Sequence, residues 1–245
     1  VGRGDTIILE SCEYYNSFLH FFPTVAVVLN VEADHLDFFK DLDDIKQSFR
    51  RFAQLTPQDG HIVANADDAG AMDALKGLPL FTFGCCEGAD CQARNLTWQH
   101  GRPDFDVVAG GEVYTHLSLR VAGLHNVYNA LAAASAAYVL GIPGKAVRQG
   151  LEGFFGAGRR FELKGQYNGA RIYDDYAHHP AELHALLDMA KSLGYDRVIC
   201  AFQPHTYTRT KALFEDFVQE LQIADVVVLT DIYAAREQNT IGISS

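Results

Sequence analysis

The stretch "ARIYDDYAHHPAEL", residues 170 to 183, joins an apolar run to a helix that opens with proline. The run is short and apolar, which is typical of a buried strand, and Pro180 stands at the first helical position, where proline is favoured. The apolar side chains that follow recur at helical spacing, at Leu183, Leu186, Leu187, Ala190 and Leu193. The stretch therefore predicts a strand, a turn crowded with ionisable groups, and a helix.

The rest of the C-terminal part repeats this order. "RVICAFQ" and "DVVVLTDIY" predict two more strands, and a helix from Thr208 to about Ile223 separates them. Because the carboxyl ends of parallel strands lie at one edge of a sheet, we expect the polar groups that follow these strands to meet there. The groups are Asp175, His178, His205, Arg209 and Arg236. Cations beside a carboxylate suit anionic substrates and a nucleotide ribose. The alternative to a shared ligand site is that each residue has only a local structural role. In that case His179 and His205 cap helices, and Arg209 is a solvated helix residue.

The N-terminal part also alternates strands and helices. "DTIILES", "TVAVVLNV", "HIVANADD" and "PLFTFG" predict strands, and residues 41 to 55 have helical spacing. This order favours an α/β fold with a mainly parallel sheet. From about Cys91 to Val121, short alternating runs indicate antiparallel hairpins at the edge of that sheet. A glycine-rich passage near Gly158 predicts a boundary between two domains, residues 1–157 and 158–245.

Composition limits the function classes. The chain has 31 acidic and 20 basic residues and a net charge of −11, which argues against nucleic acid or an anionic membrane as a partner. The most apolar segment, residues 130–142, is too short for a membrane span, and the N-terminus lacks the pattern of a signal peptide, so we expect a cytoplasmic protein. The five cysteines form no CxxC pair and are expected to be reduced thiols. No oligomeric state is indicated.

A second charged cluster, "NVEADHLDFF" at residues 30 to 39, also follows a predicted strand. Glu32, Asp34, His35 and Asp37 offer oxygen ligands and an imidazole suited to a divalent cation. Glu10 and Glu13 follow the neighbouring strand, which strengthens a metal site, and the dominance of oxygen favours magnesium over zinc. The alternative is a solvated acidic turn that caps the next helix.

The segment "GLHNVYNALAAASAA" places His125, Asn126 and Asn129 at the start of an alanine-rich helix. Two side-chain amides three residues apart can donate to and accept from the edge of an adenine ring. The alternative is that Asn126 caps the helix.

Six stretches, in chain order, carry a resemblance to a known family. They are "ESCEYYNSFL", "NVEADHLDFF", "GLHNVYNALAAA", "GAGRRFE", "DDYAHHPAE" and "FQPHTYTRT". In series they resemble the Mur ligases, ATP-dependent enzymes that form amide bonds in peptidoglycan synthesis. The last two favour the alanine-adding branch of the family. The resemblance implies part of a central ATPase domain followed by part of a Rossmann-like C-terminal domain.

The resemblance also implies substrates, cofactors and roles. It implies ATP and Mg²⁺, with UDP-N-acetylmuramate and L-alanine as substrates. Glu10 and His35, with Glu13 less firmly, resemble the metal ligands. His125, Asn126 and Asn129 resemble adenine-side residues, Arg160 a nucleotide or phosphate contact, and Asp175 the ribose acceptor. Tyr176, His178, His205 and Arg209 resemble the groups that place the muramate carboxylate and the incoming alanine, with His178 also a candidate general base.

The sequence departs from the family pattern at three points. The phosphate-binding loop GxxGKT/S and a uridine-binding domain are absent, and Thr206 stands where some relatives carry arginine. The chain is therefore expected to be a fragment that does not turn over alone. The alternatives for the parent protein are another ligase of the family, such as one that recycles murein peptide, or a non-catalytic nucleotide-binding module.

Overall fold

The computed structural model describes residues 4–36 and 38–245. By their contacts the residues divide into two compact units, each built from three segments. The first unit comprises Val1–Asn95, Phe105–His116 and Tyr128–Gln149. The second comprises Leu96–Asp104, Leu117–Val127 and Gly150–Ser245. The boundary between residues 157 and 158 stays a prediction.

A sheet of six strands, adjacent in chain order, forms in the N-terminal part of the chain. The strands are Val25–Val28 (β1), His61–Asn65 (β2), Leu80–Gly84 (β3), Cys91–Gln99 (β4), Arg102–Ala109 (β5) and Glu112–Ser118 (β6). Strands β1 to β4 pair in parallel, with Val25 opposite His61 and Phe83 opposite Cys91. Residues 100–101 and 110–111 join β4 to β5 and β5 to β6. Only antiparallel strands can be joined by so short a turn, so the hairpins lie where the sequence predicts them.

The first unit buries a core between its strands and helices. Helices Leu42–Gln54 (α1) and Ala69–Ala74 (α2) pack with β1 and β2 around Val28, Ile45, Ala64 and Leu75. Asp68 fixes the start of α2, because its Oδ1 accepts from the amide of Ala71 at 2.6 Å. The helix that the spacing of residues 41 to 55 predicts is confirmed, and its apolar residues Ile45 and Phe52 are buried. Within residues 4–36 and 38–245, no helix combines the length and apolar composition that crossing a membrane requires.

The remaining elements follow the sheet. Two helices come first, Leu124–Val139 (α3) and Gly144–Glu152 (α4). The second unit then contains Glu162–Tyr167 (β7), Ala170–Asp174 (β8), Pro180–Ser192 (α5), Ile199–Phe202 (β9), Tyr207–Ala212 (α6), Phe214–Leu221 (α7) and Val226–Leu229 (β10). Strands β9 and β10 pair in parallel, and Leu183, Phe202, Phe217 and Leu221 form a core beside them.

Two features of the second unit differ from the expectation. Strand β8 pairs with β7 in an antiparallel hairpin instead of joining a three-stranded parallel sheet with β9 and β10. The hairpin forms because Asn168 and Gly169 adopt left-handed φ values of 47° and 85°, as a two-residue type I′ turn requires. The single helix predicted from Thr208 to Ile223 is divided at Leu213 into α6 and α7.

Two helical glycines predict opposite responses to alanine. At Gly70 in α2 an added Cβ would lie 2.1 Å from the carbonyl oxygen of Val31, whereas at Gly150 in α4 it would meet nothing within 4 Å. We expect Gly70→Ala to lower the free energy of unfolding by about 2 kcal/mol or more, because main chain must move. Gly150→Ala should raise it by roughly 0.5–1 kcal/mol, since alanine favours the helix. Urea unfolding of both variants checks the pair, and equal effects would contradict this packing.

Candidate functional site

Polar side chains that follow β8, β9 and β10 meet in the second unit. The ring centroids of His178 and His205 are 5.9 Å apart, and those of His205 and Tyr233 are 5.5 Å apart. His205 and Tyr233 also form an isolated parallel bridge just beyond β9 and β10. Although β8 is not a third parallel strand, the residues that follow it still reach the same place. The structure therefore brings His178 and His205 together, as the strand ends predict.

His205 combines an imidazole with a neighbouring cation. Nη1 of Arg209, one turn along on α6, lies 3.5 Å from Nδ1 of His205. Partial burial lowers the pKa of His205, and the charges of Arg209 and then of His178 lower it further. Its ring is therefore mainly neutral near pH 7. Because a guanidinium only donates, the favoured tautomer has its lone pair on Nδ1 and its proton on Nε2.

His178 is held by its own turn. Its Nδ1 lies 2.9 Å from the carbonyl oxygen of Tyr176 and 3.4 Å from Oε2 of Glu182. The same Oε2 accepts from the amides of His178 at 2.8 Å and of His179 at 3.2 Å. These bonds form because Glu182 is the third residue of α5, where a side chain can reach back to the residues before the helix.

His179 proves to be the N-cap of α5, the local alternative that the sequence offered. Its Nδ1 accepts from the amide of Ala181 at 3.4 Å, and Pro180 follows at the first helical position. His205, by contrast, does not cap α6, because Thr206 stands between them at the N-cap position.

Tyr176 lies against an arginine. The guanidinium carbon of Arg159 is 4.4 Å from the centre of the Tyr176 ring, within the range of a cation–π contact. The amide of Tyr176 donates to the carbonyl oxygen of Arg159 at 2.9 Å, and Nε of Arg159 lies 4.0 Å from Oδ2 of Asp174. Asp174 and Arg159 thus hold the glycine-rich passage beside the end of β8.

Two of the predicted nucleotide-binding residues, Asp175 and Arg160, affect the pKa of a third, His125. Asp175 accepts from the amide of Phe161 at 2.7 Å and from that of Ala177 at 2.8 Å, one bond to each carboxylate oxygen. A carboxylate has about four acceptor positions, so Asp175 retains capacity for a ligand hydroxyl. Partial burial lowers the pKa of His125, with Asp175 opposing and Arg160 reinforcing the shift. Nη1 of Arg160 is also 3.8 Å from Oε1 of Glu182.

The two asparagines lie inside α3. Asn126 is the third residue of the helix and not its cap, because α3 begins at Leu124. Its Nδ2 donates to the carbonyl oxygen of Ala122 at 2.7 Å and lies 3.0 Å from Nε2 of His125. Asn129 is exposed one turn further along. The helix thus places both amides at its N-terminal end, as the spacing predicts.

The predicted metal residues are partly together in the first unit. Nε2 of His35 lies 3.3 Å from Oε1 of Glu13 and 3.7 Å from Oδ2 of Asp34. The Tyr14 ring stacks on His35, with centroids 4.4 Å apart. Hydrogen bonding to His35 lowers the pKa of Glu13, against the opposing effect of burial. Glu10 is exposed in the irregular segment before them, and Asp37 lies outside the described residues.

The Glu13 and His35 pair offers two candidate donors to a divalent cation, although the two side chains also contact each other as an ion pair. Bonds from Mg²⁺ to its ligands are about 2.1 Å long, so two adjacent ligands of an octahedral ion lie roughly 3 Å apart. The separation of 3.3 Å between Glu13 and His35 is close to that value. Within residues 4–36 and 38–245, no three His, Cys, Asp or Glu side chains are grouped to hold a metal ion. The metal role of Glu13 and His35 therefore stays a prediction, as does that of Glu10.

His35→Ala tests the metal prediction in the full-length gene product. For the ligase reaction that the resemblance implies, we expect the Mg²⁺ concentration for half-maximal activity to rise by about tenfold or more, since one candidate donor is lost. His20→Ala, an exposed histidine of the same unit, is the control. An unchanged magnesium requirement in the His35 variant would make the Glu13–His35 pair a structural contact only.

Three contacting residues were not among the predicted site residues. They are Arg159, Glu182 and Tyr233. Glu182 carried a detectable signal, because a glutamate at the third helical position marks a capping box. Arg159 and Tyr233 carry no such signal in the sequence, because their contacts depend on how the turns fold.

Comparisons with known proteins agree with this architecture. Residues 3–137 match the family model "Mur ligase middle domain", and residues 159–242 match "Mur ligase, glutamate ligase domain". The chain is 48% identical over 248 residues to the UDP-N-acetylmuramate–L-alanine ligase of Caldanaerobacter subterraneus, covering 100% of this chain and 54% of that protein. It is 47% identical over 247 residues to the ligase of the same name from Clostridium novyi, with the same coverages.

Solved structures show the same fold. The UDP-N-acetylmuramate–alanine ligase of Thermotoga maritima is 30% identical with a TM-score of 0.71, over 89% of this chain and 48% of that one. A murein peptide ligase from Psychrobacter arcticus is 28% identical with a TM-score of 0.62, over 87% and 44%. The predicted α/β fold class is confirmed, and the chain spans about half the length of the curated relatives it matches. On the family model that covers residues 3–137, the chain belongs to the Mur ligase family.

Proposed function

We propose that the full-length gene product joins L-alanine to UDP-N-acetylmuramate while ATP is converted to ADP and phosphate, in peptidoglycan synthesis in the cytoplasm. The observation that carries this proposal is the meeting of His178, His205 and Arg209 at the strand ends. That cluster lies in a chain 48% identical to a ligase with that name. A guanidinium beside two imidazoles suits a reaction that must bind a carboxylate and then accept a proton.

The reaction has two chemical steps. An oxygen of the lactyl carboxylate attacks the γ-phosphorus of ATP, ADP leaves, and an acyl phosphate forms. The amine of alanine then attacks the acyl carbon, and phosphate leaves from the tetrahedral intermediate as the amide forms. Anionic groups must be brought together in both steps, so positioning and cationic side chains supply most of the catalysis.

The strand-end residues have separate roles in this proposal. Arg209 binds the carboxylate of a substrate, and the proton on Nε2 of His205 donates a second hydrogen bond. His178 removes a proton from the incoming ammonium as the general base. Tyr176, stacked under Arg159, borders the same group.

The nucleotide and metal roles rest on the residues that the sequence singled out. His125, Asn126 and Asn129 read the adenine edge, Asp175 accepts from a ribose hydroxyl, and Arg160 contacts phosphate. Glu13 and His35, with Glu10, would hold Mg²⁺, which would neutralise phosphate charge during transfer.

The identity of the amino donor distinguishes the proposed alanine ligase from a murein peptide ligase of the same family. Likeness to a murein peptide ligase makes tripeptide the second candidate donor. The full-length gene product, given ATP, Mg²⁺ and UDP-N-acetylmuramate, should release phosphate with L-alanine, and not with L-lysine or tripeptide. Phosphate release with tripeptide, and not with L-alanine, would indicate instead a ligase that recycles murein peptide. No release with any donor would favour a non-catalytic nucleotide-binding module.

A further inference from the structure

Glu182 connects the turn after β8 to the predicted phosphate contact. Its Oε2 accepts from the amides of His178 and His179 and lies 3.4 Å from the imidazole Nδ1 of His178. Its Oε1 lies 3.8 Å from Nη1 of Arg160. The carboxylate is about one third exposed, with a relative accessibility of 35%, so its charge is only partly screened by water. One side chain thus touches the main chain and the ring of the candidate base.

The neighbours of His178 determine where its proton lies. Its Nδ1 is 2.9 Å from the carbonyl oxygen of Tyr176, and a carbonyl oxygen only accepts. The Glu182 carboxylate on the same side also accepts. Nδ1 therefore carries the proton in the neutral ring, and the basic lone pair is on Nε2.

We propose that Glu182 is a positioning residue that keeps the His178 imidazole in the Nδ1–H tautomer and stabilises the imidazolium formed when Nε2 takes a proton from the attacking amine. This role rests on the proposed function, because it needs His178 to be the base. The proton moves from the alanine ammonium to Nε2 of His178. The carboxylate stays ionised and compensates the new positive charge.

The groups around His178 make this compensation necessary. Its ring faces Tyr176 and His205 from the adjoining turns, and Arg209 approaches His205 from α6. A second positive charge in this group is unfavourable, and Glu182 places a carboxylate oxygen 3.4 Å from Nδ1 of His178. Helix α5 assists, because its N-terminal end favours a negative charge in the first turn.

Two substitutions separate the electrostatic role from the capping role. Glu182→Gln keeps a carbonyl oxygen for the two amides but removes the charge, whereas Glu182→Ala removes both. Glu220→Gln is the matched control, because Glu220 pairs with Nδ1 of His184 at 2.6 Å on the surface of the same unit. All three are made in the full-length gene product.

The kinetic test measures ligase activity against pH. We expect Glu182→Gln to lower kcat by about tenfold or more, to move the acid limb of the kcat profile to lower pH, and to leave the melting temperature nearly unchanged. The KM for ATP should change much less than kcat, since the substitution removes none of the side chains proposed to contact the nucleotide. Glu220→Gln should change none of these quantities. If Glu182→Gln has the activity and pH profile of the unchanged protein, Glu182 is only a helix cap.

A second readout needs no ligase activity. With ¹⁵N-labelled histidine at alkaline pH, NMR of the unchanged protein should show His178 mainly as the Nδ1–H tautomer, with a smaller Nδ1–H fraction in Glu182→Ala. An Nε2–H ring in the unchanged protein, or equal fractions in both, would overturn the proposal. If the tautomer result holds while no amino donor is turned over, the positioning contact stands and the proposed function fails.

Discussion

Replacing Arg209 by alanine in the full-length gene product is expected to lower kcat/KM for UDP-N-acetylmuramate by about 100- to 1000-fold. Arg209 lies at the strand ends, with Nη1 3.5 Å from the His205 ring, and in the proposed reaction it binds the carboxylate of a substrate. The KM for ATP should change far less, because the proposed adenine and ribose contacts are made by other residues. Steady-state kinetics with each substrate varied in turn measures the difference.

Two control variants test whether the effect of Arg209→Ala is specific to the guanidinium at this position. Arg209→Lys should recover part of the activity, since it keeps the charge and loses the fork of donors. Arg197→Ala, an exposed arginine of the same unit, should have no effect. The pKa of His205 should also rise in Arg209→Ala, because burial remains while the next largest cause of its lowering is gone. Unchanged kinetics with an unchanged His205 titration would place Arg209 outside the site.

The second large effect is expected for His178→Ala. A positioned general base contributes about 100- to 10,000-fold, so kcat with L-alanine should fall within that range while substrates still bind. His184→Ala is the matched control, a histidine of α5 in the same unit that also pairs with a glutamate but is exposed on the surface. If kcat falls less than about threefold, the proton is removed by another group, and His178 only packs beside His205.

Much of the fold could be predicted because buried parallel strands and amphipathic helices have strong periodic signals. Strands β1 to β3, the face of α1 and the start of α5 at Pro180 all follow from local patterns. The β7–β8 hairpin was missed although Asn168 and Gly169 are a strong two-residue turn signal. The glycine-rich passage before them predicts only a boundary, and strand β7 begins where that passage ends, at Glu162.

The site was less predictable than the strands that carry it. The order of strands placed His178 and His205 at one edge, and their rings do meet there. The partners of these rings come from turn geometry that periodicity does not encode. Glu182 reaches back from α5, and Asp175 ties the glycine-rich passage to the end of β8 through the amide of Phe161. Tyr233 approaches His205 only because β9 and β10 pair in this register.

Oxygen transfer tests the central claim most directly. The full-length gene product is given ATP, Mg²⁺, L-alanine and UDP-N-acetylmuramate labelled with ¹⁸O in its lactyl carboxylate. The acyl phosphate route predicts one labelled oxygen in each phosphate released, formed together with the alanyl amide. Alanine-dependent release of unlabelled phosphate, or no amide product at all, would contradict the account.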